Sequence, residues 1–508
     1  MPRIFYITTP IFYPNDRLHL GHAYTIVMAD IIARYKKSQG YQIFFQTGSD
    51  EHGEKIEKKA NSLGTSPQEL VDKNVLLFKQ LWKGLGITEH NFYRTSSLEH
   101  REKVQKIFTE LLRKGNIYLG KYQGKYCVTC EDYVSKGKVI NSSFCPTPNC
   151  QTELKIVDEP AYFLKVSKYC SELMKYYSQN PSFLSPSSAK GEVFENFLKN
   201  DIRDLCITRS DIKWGIPVPN NEKMVIYVWF EALLNYLNSD EGEKAFIDSK
   251  WEIIHLIGKE ITRFHAIYWL IILFSLNKRL PNKILAHGWL TTPWGKMSKS
   301  KGNVIDPLEL LKKYPPDLLR IYFIAKINFL QDGVCDENLL KDFYQDFLVN
   351  NLSNLVSRTN KMLFLYNEGI VPEFISEKKD SRLEDYYEKC ILSVRDFQKM
   401  MDRYELTKAF SQIQFLLDES NKLIQELAPW ELAKKGEKLF LNLTLNCLVN
   451  GIKILSFLLN CIIPETSREI LTTFNIDYER NNWDNLLDFN LLSKIKTNLL
   501  KKHLYSRL

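Results

Sequence analysis

The sequence predicts an α/β doubly wound parallel sheet, split by a small insertion and followed by an all-α helical bundle. Nearly continuous apolar runs at residues 3–9, 42–47, 251–257 and 283–287 are typical of parallel strands covered on both faces. A tyrosine- and glycine-rich stretch with paired cysteines separates the second run from the third. Beyond residue 336, apolar residues recur with helical periodicity, which favours a helical bundle.

Composition indicates a multidomain globular protein. The chain has 508 residues, 44% of them apolar, enough to bury several cores. Its net charge of +8 suits an RNA partner, and a solvated basic surface is the alternative. The most apolar run, at 268–276, is too short to cross a bilayer, so we expect no membrane association. The first strand begins at Arg3, which leaves no room for a targeting segment, and a cytoplasmic monomer is expected.

The first predicted strand leads into His19-Leu20-Gly21-His22, where a helix begins. The two imidazoles are three residues apart and share one face of the helix N-terminus. Unpaired N–H groups and the helix dipole favour an anion there, and Gly21 leaves space for a phosphate. The alternative is that an isolated H-x-x-H is a metal pair or two solvated histidines.

Functional residue types also follow the other predicted strands. The second strand leads into Asp50, the third into Gly258 and Glu260, and the fourth into His287 and Gly288. Ligands of open parallel sheets bind beyond the carboxyl ends of the strands, so we expect these residues at one edge. A lysine-rich loop, Lys296-Met297-Ser298-Lys299-Ser300, comes next; a solvated turn is its ordinary interpretation.

The insertion contains four clustered cysteines, Cys127, Cys130, Cys145 and Cys150. The first pair has the spacing of a zinc knuckle, whereas the second pair is two residues wider. Clustered thiols in an intracellular chain favour a metal over disulfides, and a small insert has little core without one. We therefore predict one structural Zn²⁺, with unrelated thiols as the alternative.

Several helix boundaries are predicted from local signals. Ser66 with Glu69, and Ser96 with Glu99, match the capping-box pattern. A single helix is expected over 261–276, and a basic helix over 494–507.

Together, the histidine and lysine motifs resemble the HIGH and KMSKS motifs of class I aminoacyl-tRNA synthetases, the first in variant form and the second letter for letter. Among these Rossmann-like enzymes the chain is most similar to the methionyl family, over essentially its whole length. Further matching stretches are residues 9–13, 47–53, 227–232 and 264–265. The insertion is too short for the editing domain of the isoleucyl, leucyl and valyl enzymes, and no cysteine lies near His19, where the cysteinyl enzyme would need one.

The resemblance implies that the chain activates L-methionine with ATP to methionyl-adenylate and transfers methionine to the 3′ end of tRNA(Met). It implies Mg²⁺ as a cofactor and a methionine pocket that combines aromatic rings for the thioether with a carboxylate for the α-ammonium. Any one of these aromatics alone would be interpreted as ordinary core. The implied pocket residues are Ile11, Tyr13, Asp50, Trp229, Ala232, Tyr236, Phe264 and His265.

The resemblance also implies which groups meet the phosphates. No protein nucleophile is needed, because the methionine carboxylate attacks the α-phosphorus and pyrophosphate leaves, so the protein stabilises the charge of the transition state. The implied catalytic residues are His19, His22, Lys296 and Lys299. The remaining implied ATP-binding residues are Gly21, Gly258, Glu260, His287 and Gly288, with Glu260 standing where the family usually has a shorter aspartate.

Three residues of the helical region, Asn354, Arg358 and Trp430, match the family's anticodon-contacting positions. An indole offers a stacking face, while an amide and a guanidinium reach base edges. The alternative is that Trp430 is core and the other two face solvent.

The predicted division comprises a first catalytic half (1–114), a zinc-binding insertion (115–225), a second catalytic half (226–290), the KMSKS and stem-contact region (291–345) and an anticodon-binding bundle (346–508). The alternative functions are another class I synthetase, a nucleotidyltransferase that shares the H-x-G-H site, and a non-catalytic RNA-binding scaffold.

Overall fold

A computed structural model describes most of the chain, in two compact units. The described residues are 3–15, 18–127, 129, 132–134, 143–146, 150, 152–193, 204–293, 295–296, 304–374, 380–477 and 482–507. The first unit comprises residues 1–29 and 42–287, and the second comprises 30–41 and 288–508.

The first unit is built from parallel and antiparallel strands. In chain order they are β1 Ile4–Thr8, β2 Gln42–Ser49, β3 Asn91–Arg94, β4 Ile117–Cys127, β5 Asp132–Val134, β6 Lys155–Leu164, β7 Leu184–Ser185, β8 Leu205–Cys206, β9 Thr208–Arg209, β10 Ile216–Val218, β11 Asn221–Ile226, β12 Trp251–Gly258 and β13 Lys283–His287.

Six of these strands form one all-parallel sheet in the order β3-β2-β1-β12-β13-β7. From β1 the chain continues to β2 and β3 on one side of the sheet, and later to β12 and β13 on the other side. The strand order therefore reverses beside β1. Crevices at such switch points are where open α/β sheets bind ligands. The predicted doubly wound sheet is therefore confirmed, and its four predicted strands correspond to β1, β2, β12 and β13.

Most strands of the insertion pair outside the central sheet; the exception is β7, which extends the edge of that sheet beside β13. β4 and β6 form a long antiparallel ribbon that is flanked by β5 and β8. A second small antiparallel sheet has the order β10-β11-β9. The insertion thus separates the two halves of the parallel sheet in sequence without interrupting the sheet itself.

Nine α-helices begin among the described residues of the first unit, and their boundaries follow local signals. They are α1 Leu20–Ser38, α2 Glu54–Leu63, α3 Pro67–Gly84, α4 Leu98–Arg113, α5 Cys170–Gln179, α6 Ser187–Val193, α7 Val228–Leu233, α8 Asp240–Ala245 and α9 Leu270–Ser275.

The capping box of Ser66 and Glu69 at the start of α3 is confirmed. The box predicted for Ser96 is wrong by one residue, because Ser97 is the N-cap of α4 and its hydroxyl accepts the His100 N–H. The Ser96 hydroxyl instead donates to the carboxylate of Glu51.

The single helix expected over 261–276 consists of three segments. A 3₁₀ turn covers Lys259–Ile261, a π-helical segment covers Phe264–Trp269, and α9 completes the run. Side chains at these altered turns have buried partners: the Trp269 indole N–H donates to His255 Nε2 at 3.0 Å. Wide π turns re-aim side chains and are frequent at functional sites.

The second unit is mainly helical. Its strands are β14 Leu290–Thr292, β15 Gly295–Lys296 and β16 Gly333–Val334, and its helices are α10 Pro307–Lys313, α11 Pro316–Lys326, α12 Glu337–Phe343, α13 Asn354–Asn367, α14 Ser381–Asp402, α15 Leu406–Leu427, α16 Pro429–Lys434, α17 Lys438–Leu459 and α18 Pro464–Thr473. A π-helical segment, Tyr344–Ser353, joins α12 to α13. The predicted all-α bundle is confirmed, with α17 packed against α13, α14, α15 and α18.

Sequence inspection overlooked one long apolar helix. Among the described residues, α17 alone is long and apolar enough to cross a membrane, and 83% of its apolar window is buried inside the protein. Burial on nearly all sides explains its composition, since helices at the centre of a bundle are apolar all round.

The basic helix predicted over 494–507 is wrong. This segment has no helical hydrogen bonding and instead runs as an irregular strap. Its backbone is satisfied by side chains of α13 and neighbouring residues: the Leu500 N–H donates to Asn360 Oδ1 at 2.9 Å. Tyr505 is buried, and its hydroxyl donates to Asp317 Oδ2 at 2.6 Å. These tertiary bonds outweigh the helical propensity of the lysines and leucines.

Candidate active site

The two histidines of the first motif stack on each other at the start of α1. Their ring centroids are 3.9 Å apart with an interplanar angle of 23°. His19 Nδ1 accepts the Gly21 N–H at 3.1 Å, and the His19 N–H donates to His22 Nδ1 at 3.2 Å. A Cβ on Gly21 would lie 2.9 Å from the His19 ring, so glycine at this position is required by the packing of the imidazole. Both rings thus cap the helix N-terminus where an anion was expected.

His287, at the end of β13, reaches the same helix. Its Nε2 lies 2.8 Å from the Thr25 hydroxyl, which itself donates to the Gly21 carbonyl at 3.0 Å. Because the hydroxyl proton is used on that carbonyl, His287 Nε2–H is the donor in this contact. The edge of the Tyr24 ring also meets the imidazole at 5.2 Å. The structure therefore joins two of the predicted residues, Gly21 and His287, through Thr25.

Asp50 is held beside the loop that follows β1. The Phe12 N–H donates to the Gly48 carbonyl at 2.8 Å, and the Asp50 N–H donates to the Phe12 carbonyl at 2.9 Å. This pairing carries Ile11 and Tyr13, the residues on either side of Phe12, to the end of β2. A Cβ on Gly48 would lie 2.1 Å from the Tyr93 backbone oxygen of β3, so the close approach of β2 and β3 at this point requires glycine.

Aromatic side chains of α7 and the π-helical segment face each other. The rings of Trp229 and Phe264 are stacked at 3.6 Å with an angle of 4°. The Trp229 indole N–H is buried and makes no hydrogen bond among the described residues. Ala232 lies one turn further along α7, where its carbonyl accepts from the Asn235 amide. A buried donor without a partner at an aromatic stack is consistent with a site that a ligand completes.

Tyr236 and His265 form a second buried pair of the predicted pocket. The Tyr236 hydroxyl is 2.7 Å from His265 Nε2, and His265 Nδ1 is 3.1 Å from the Ile261 carbonyl. A carbonyl only accepts, so Nδ1 carries the proton and Nε2 accepts from the tyrosine. Burial lowers the pKa of His265 to about 4 and raises the pKa of Tyr236. Both side chains are therefore neutral at physiological pH.

The remaining predicted ATP residues lie at strand ends. Glu260 folds back on its own turn, since a Cβ on Gly258 would lie 2.5 Å from a Glu260 carboxylate oxygen. Gly288 packs against the 331–332 backbone, where a Cβ would be 2.0 Å from the Gln331 oxygen. Lys296 lies in β15, for which only the backbone is described, and Lys299 lies outside the described residues.

Sequence reasoning missed a buried ionic network beneath the pocket. Glu51 receives a bidentate contact from Arg94, with N–O distances of 2.7 and 2.9 Å. The fully buried Glu231 contacts His52 and His100. Glu51, His52 and Glu231 stand beside predicted pocket residues in sequence, but His100 lies 131 residues from its partner, so no local signal links them.

Three of the four predicted zinc ligands come together. The sulfurs of Cys127, Cys145 and Cys150 all lie within 4.8 Å of one another, and Cys127 Sγ to Cys150 Sγ is 3.6 Å. That distance is far too long for a disulfide and close to the spacing of about 3.8 Å that tetrahedral zinc with sulfurs at about 2.3 Å imposes. The three residues fit zinc; Cys130 lies outside the described residues.

The three residues matched to anticodon contacts also cluster. Asn354 and Arg358 are one turn apart on α13, and Arg358 lies 5.9 Å from the ring centroid of Trp430 on α16. Pro429 takes the first helical position of α16. Trp430 is 37% exposed and Asn354 is exposed. The indole therefore does not pack as core, which was the alternative interpretation.

Comparison with known proteins covers both units. The family model described as tRNA synthetases class I (M) matches residues 5–159 and 146–360, and the anticodon binding domain of methionyl tRNA ligase matches 376–498. A methionine–tRNA ligase of Ureaplasma parvum is 41% identical over 97% of this chain and 96% of its own length. One from Clostridium tetani is 40% identical over 96% of this chain and 76% of its own length.

Solved structures agree with the sequence comparison. The Mycobacterium tuberculosis methionyl-tRNA synthetase in complex with methionyl-adenylate superimposes with a TM-score of 0.92 at 28% identity, covering 100% of both chains. The apo form of that enzyme gives 0.85 at 25% identity. With the parallel sheet and the paired motifs in place, the chain belongs to the methionyl-tRNA synthetases, the class I aminoacyl-tRNA synthetases for methionine.

Proposed function

We propose that the residues gathered at the carboxyl edge of the parallel sheet form the site in which this methionine–tRNA ligase makes methionyl-adenylate. The observation that carries the proposal is the presence of two side-chain pairs, Trp229 stacked on Phe264 and Tyr236 bonded to His265. The carboxylate of Asp50 is also nearly buried. A thioether prefers polarizable aromatic surroundings, and an α-ammonium needs an anion.

The histidine motif meets ATP in this proposal. His19 and His22 give up their hydrogen bonds to backbone N–H groups at the helix N-terminus when the α- and β-phosphates bind there. His287 holds the first turns of α1 in place through Thr25. Lys296 and Lys299 neutralise the departing pyrophosphate. These fixed donors stabilise the charge that spreads over the phosphates in the transition state, so they raise kcat more than they raise affinity for ATP. When bound, Mg²⁺ neutralises phosphate oxygens.

We propose that zinc is structural and lies away from the chemistry. Its ligands are Cys127, Cys130, Cys145 and Cys150; of these, Cys127 ends β4, and the Cys145 N–H donates to the Thr152 carbonyl. The small core there, in which Leu154 packs with the cysteines, is too limited to hold the segment without a metal.

For tRNA(Met), we propose that α13 and α16 read the CAU anticodon through Asn354, Arg358 and Trp430. Stacking on the half-exposed indole and edge contacts from the amide and guanidinium suit unpaired bases. The five-part division of the chain, a monomeric state and a cytoplasmic location complete the proposal.

Substitution at the pocket tests this proposal. Asp50→Asn and Trp229→Ala are expected to raise the KM for methionine at least tenfold in ATP–pyrophosphate exchange while the KM for ATP changes less than twofold, because each removes a contact to methionine alone. Ile247→Ala, at an exposed apolar position outside the pocket, serves as the control. An unchanged methionine KM in both variants would contradict the assignment.

A further inference from the structure

A buried carboxylate with two imidazole partners lies behind the predicted methionine pocket. Glu231 is 0% exposed. His52 Nδ1 is 2.9 Å from its Oε1, and His100 Nε2 is 2.7 Å from its Oε2. Each oxygen of the carboxylate therefore takes one imidazole N–H, and the two rings approach from different elements.

The carboxylate of this cluster is satisfied by hydrogen bonds inside the protein. Burial alone would raise the pKa of the Glu231 carboxyl, but His52 and His100 together lower it below its usual value. The carboxylate is therefore ionised. A lone buried carboxylate is costly, whereas one that is paired and fully hydrogen-bonded is tolerated. Removing either partner leaves a charge or a donor unsatisfied.

The cluster joins three elements that are far apart in sequence. His52 belongs to the loop after β2, Glu231 to α7 and His100 to α4. His100 also extends to the segment after α7, since its Nδ1 is 3.0 Å from Asn238 Oδ1. A single side chain, Glu231, thus connects the β2 loop to α4 and to the helix that carries the pocket aromatics.

Pocket residues flank the cluster on both sides. Asp50 lies two residues before His52, and Glu231 lies between Trp229 and Ala232 on α7. Glu51, between Asp50 and His52, is fixed separately by Arg94. The bond between His52 and Glu231 ties this loop to α7, and it thereby helps to set the separation between the carboxylate of Asp50 and the ring of Trp229.

We propose that Glu231, with His52 and His100, is a positioning residue for methionine. It holds the loop of Asp50 against α7. The Asp50 carboxylate and the Trp229 ring can then contact the α-ammonium and the side chain of the same methionine molecule. The inference rests on the proposed pocket, and it goes beyond that pocket because Glu231 and His100 are fully buried and are not among the predicted pocket residues. Residues that contact a ligand keep the geometry needed for binding when surrounding side chains fix their positions by hydrogen bonds and packing.

The test separates a positioning role from general structural damage. Glu231→Gln keeps the shape of the side chain but removes its charge, and His100→Gln removes one arm of the clamp. The matched control is Glu243→Gln, because Glu243 also bridges two basic side chains, Lys103 and Lys278, but at a partly exposed position of α8. Asp50→Asn marks the pocket itself. The full chain is assayed by ATP–pyrophosphate exchange.

For Glu231→Gln, we expect the KM for methionine to rise at least tenfold, while the KM for ATP stays within twofold and kcat within threefold. His100→Gln should raise the methionine KM at least threefold, and it decides the matter if Glu231→Gln does not fold. Methionine KM values within twofold of wild type in the folded variants, or parallel rises in both KM values, overturn the inference even when Asp50→Asn is impaired. If Asp50→Asn is unimpaired, the pocket assignment falls and the inference falls with it.

Discussion

At the residue scale, the first motif acts through hydrogen bonds that a sequence pattern does not specify. His19 and His22 were expected to share a helix face, and the structure adds that their Nδ1 atoms accept backbone N–H groups of the same turn. An arriving phosphate would compete for those N–H groups. Helix N-termini bind anions through such donors, so the imidazoles are suited to exchange partners when ATP binds.

His22→Ala is expected to slow methionyl-adenylate formation at least tenfold, which corresponds to about 1.4 kcal/mol. The reason is that the imidazole meets charge present mainly in the transition state. Lys299→Ala should behave likewise. Single-turnover kinetics of adenylate formation measure the effect, and His503→Ala, at an exposed histidine bonded to Ser357, is the control. Unchanged rates in both variants would remove these residues from the chemistry.

The neutral His265 predicts a pH dependence of stability. Its pKa is about 4 in the folded chain because of burial, against about 6.5 when unfolded. Between these values the unfolded state holds a proton that the folded state lacks. The free energy of unfolding therefore falls as pH drops from 6.5 to 4, by on the order of 3 kcal/mol for this group.

Urea unfolding midpoints at pH 7 and pH 5 test that expectation. His265→Gln should show a smaller drop between the two pH values than the wild type, because its side chain does not titrate. Equal drops in both proteins would mean that His265 is not held neutral. His255, whose pKa is lowered by burial and further by the neighbouring His265, still titrates in the variant, so the drop becomes smaller but does not disappear.

At the element scale, local signals located strands and most helix starts, but tertiary contacts decided the rest. The alternation of apolar runs with glycine was sufficient for β1, β2, β12 and β13. The expected helix over 494–507 failed because Tyr505 and Leu500 find partners in Asp317 and Asn360, and such distant bonds leave no trace in a helical pattern. The π-helical segment Phe264–Trp269 was missed for the same reason, since its Trp269 side chain bonds to the distant His255.

The insertion is expected to bind one equivalent of zinc in elemental analysis of protein purified without chelators. Three sulfurs already stand at metal-ligand spacing. Cys127→Ser and Cys145→Ser should each lose the metal, whereas Cys170→Ser, on α5, should retain it. Less than about half an equivalent in the wild type would argue against a structural site. Full retention by Cys150→Ser would exclude that residue as a ligand.

In the helical unit, Trp430→Ala is expected to leave methionine activation near normal and to lower tRNA charging at least tenfold. The indole is partly exposed beside Arg358, so it is available to stack on a base, and each stacked base contributes about 1–3 kcal/mol. Phe415→Ala, at another exposed aromatic of the same unit, is the control. Equal loss of both activities would mean that Trp430 supports the fold instead.

At the scale of the whole molecule, the histidine and lysine motifs, far apart in the sequence, together identified the family. Two independent matches in one chain are much less probable by chance than either match alone. The fold class was predictable because nearly continuous apolar runs are typical of parallel strands. Functional residue types follow those runs, as expected where the carboxyl ends of parallel strands meet at one edge of a sheet. The buried cluster of Glu231, His52 and His100 was not predictable, since its members are 131 and 179 residues apart in the chain. The domain boundaries and the residue roles at the site stay predictions.

The central claim is that this chain activates methionine, and amino-acid-dependent ATP–pyrophosphate exchange measures that step directly. With each of the twenty amino acids tested in turn, we expect exchange above background with methionine at a kcat/KM at least a hundredfold above any other. The aromatic pocket and the carboxylate of Asp50 account for that preference. Exchange that is fastest with a different amino acid, or that needs no amino acid at all, would contradict the account.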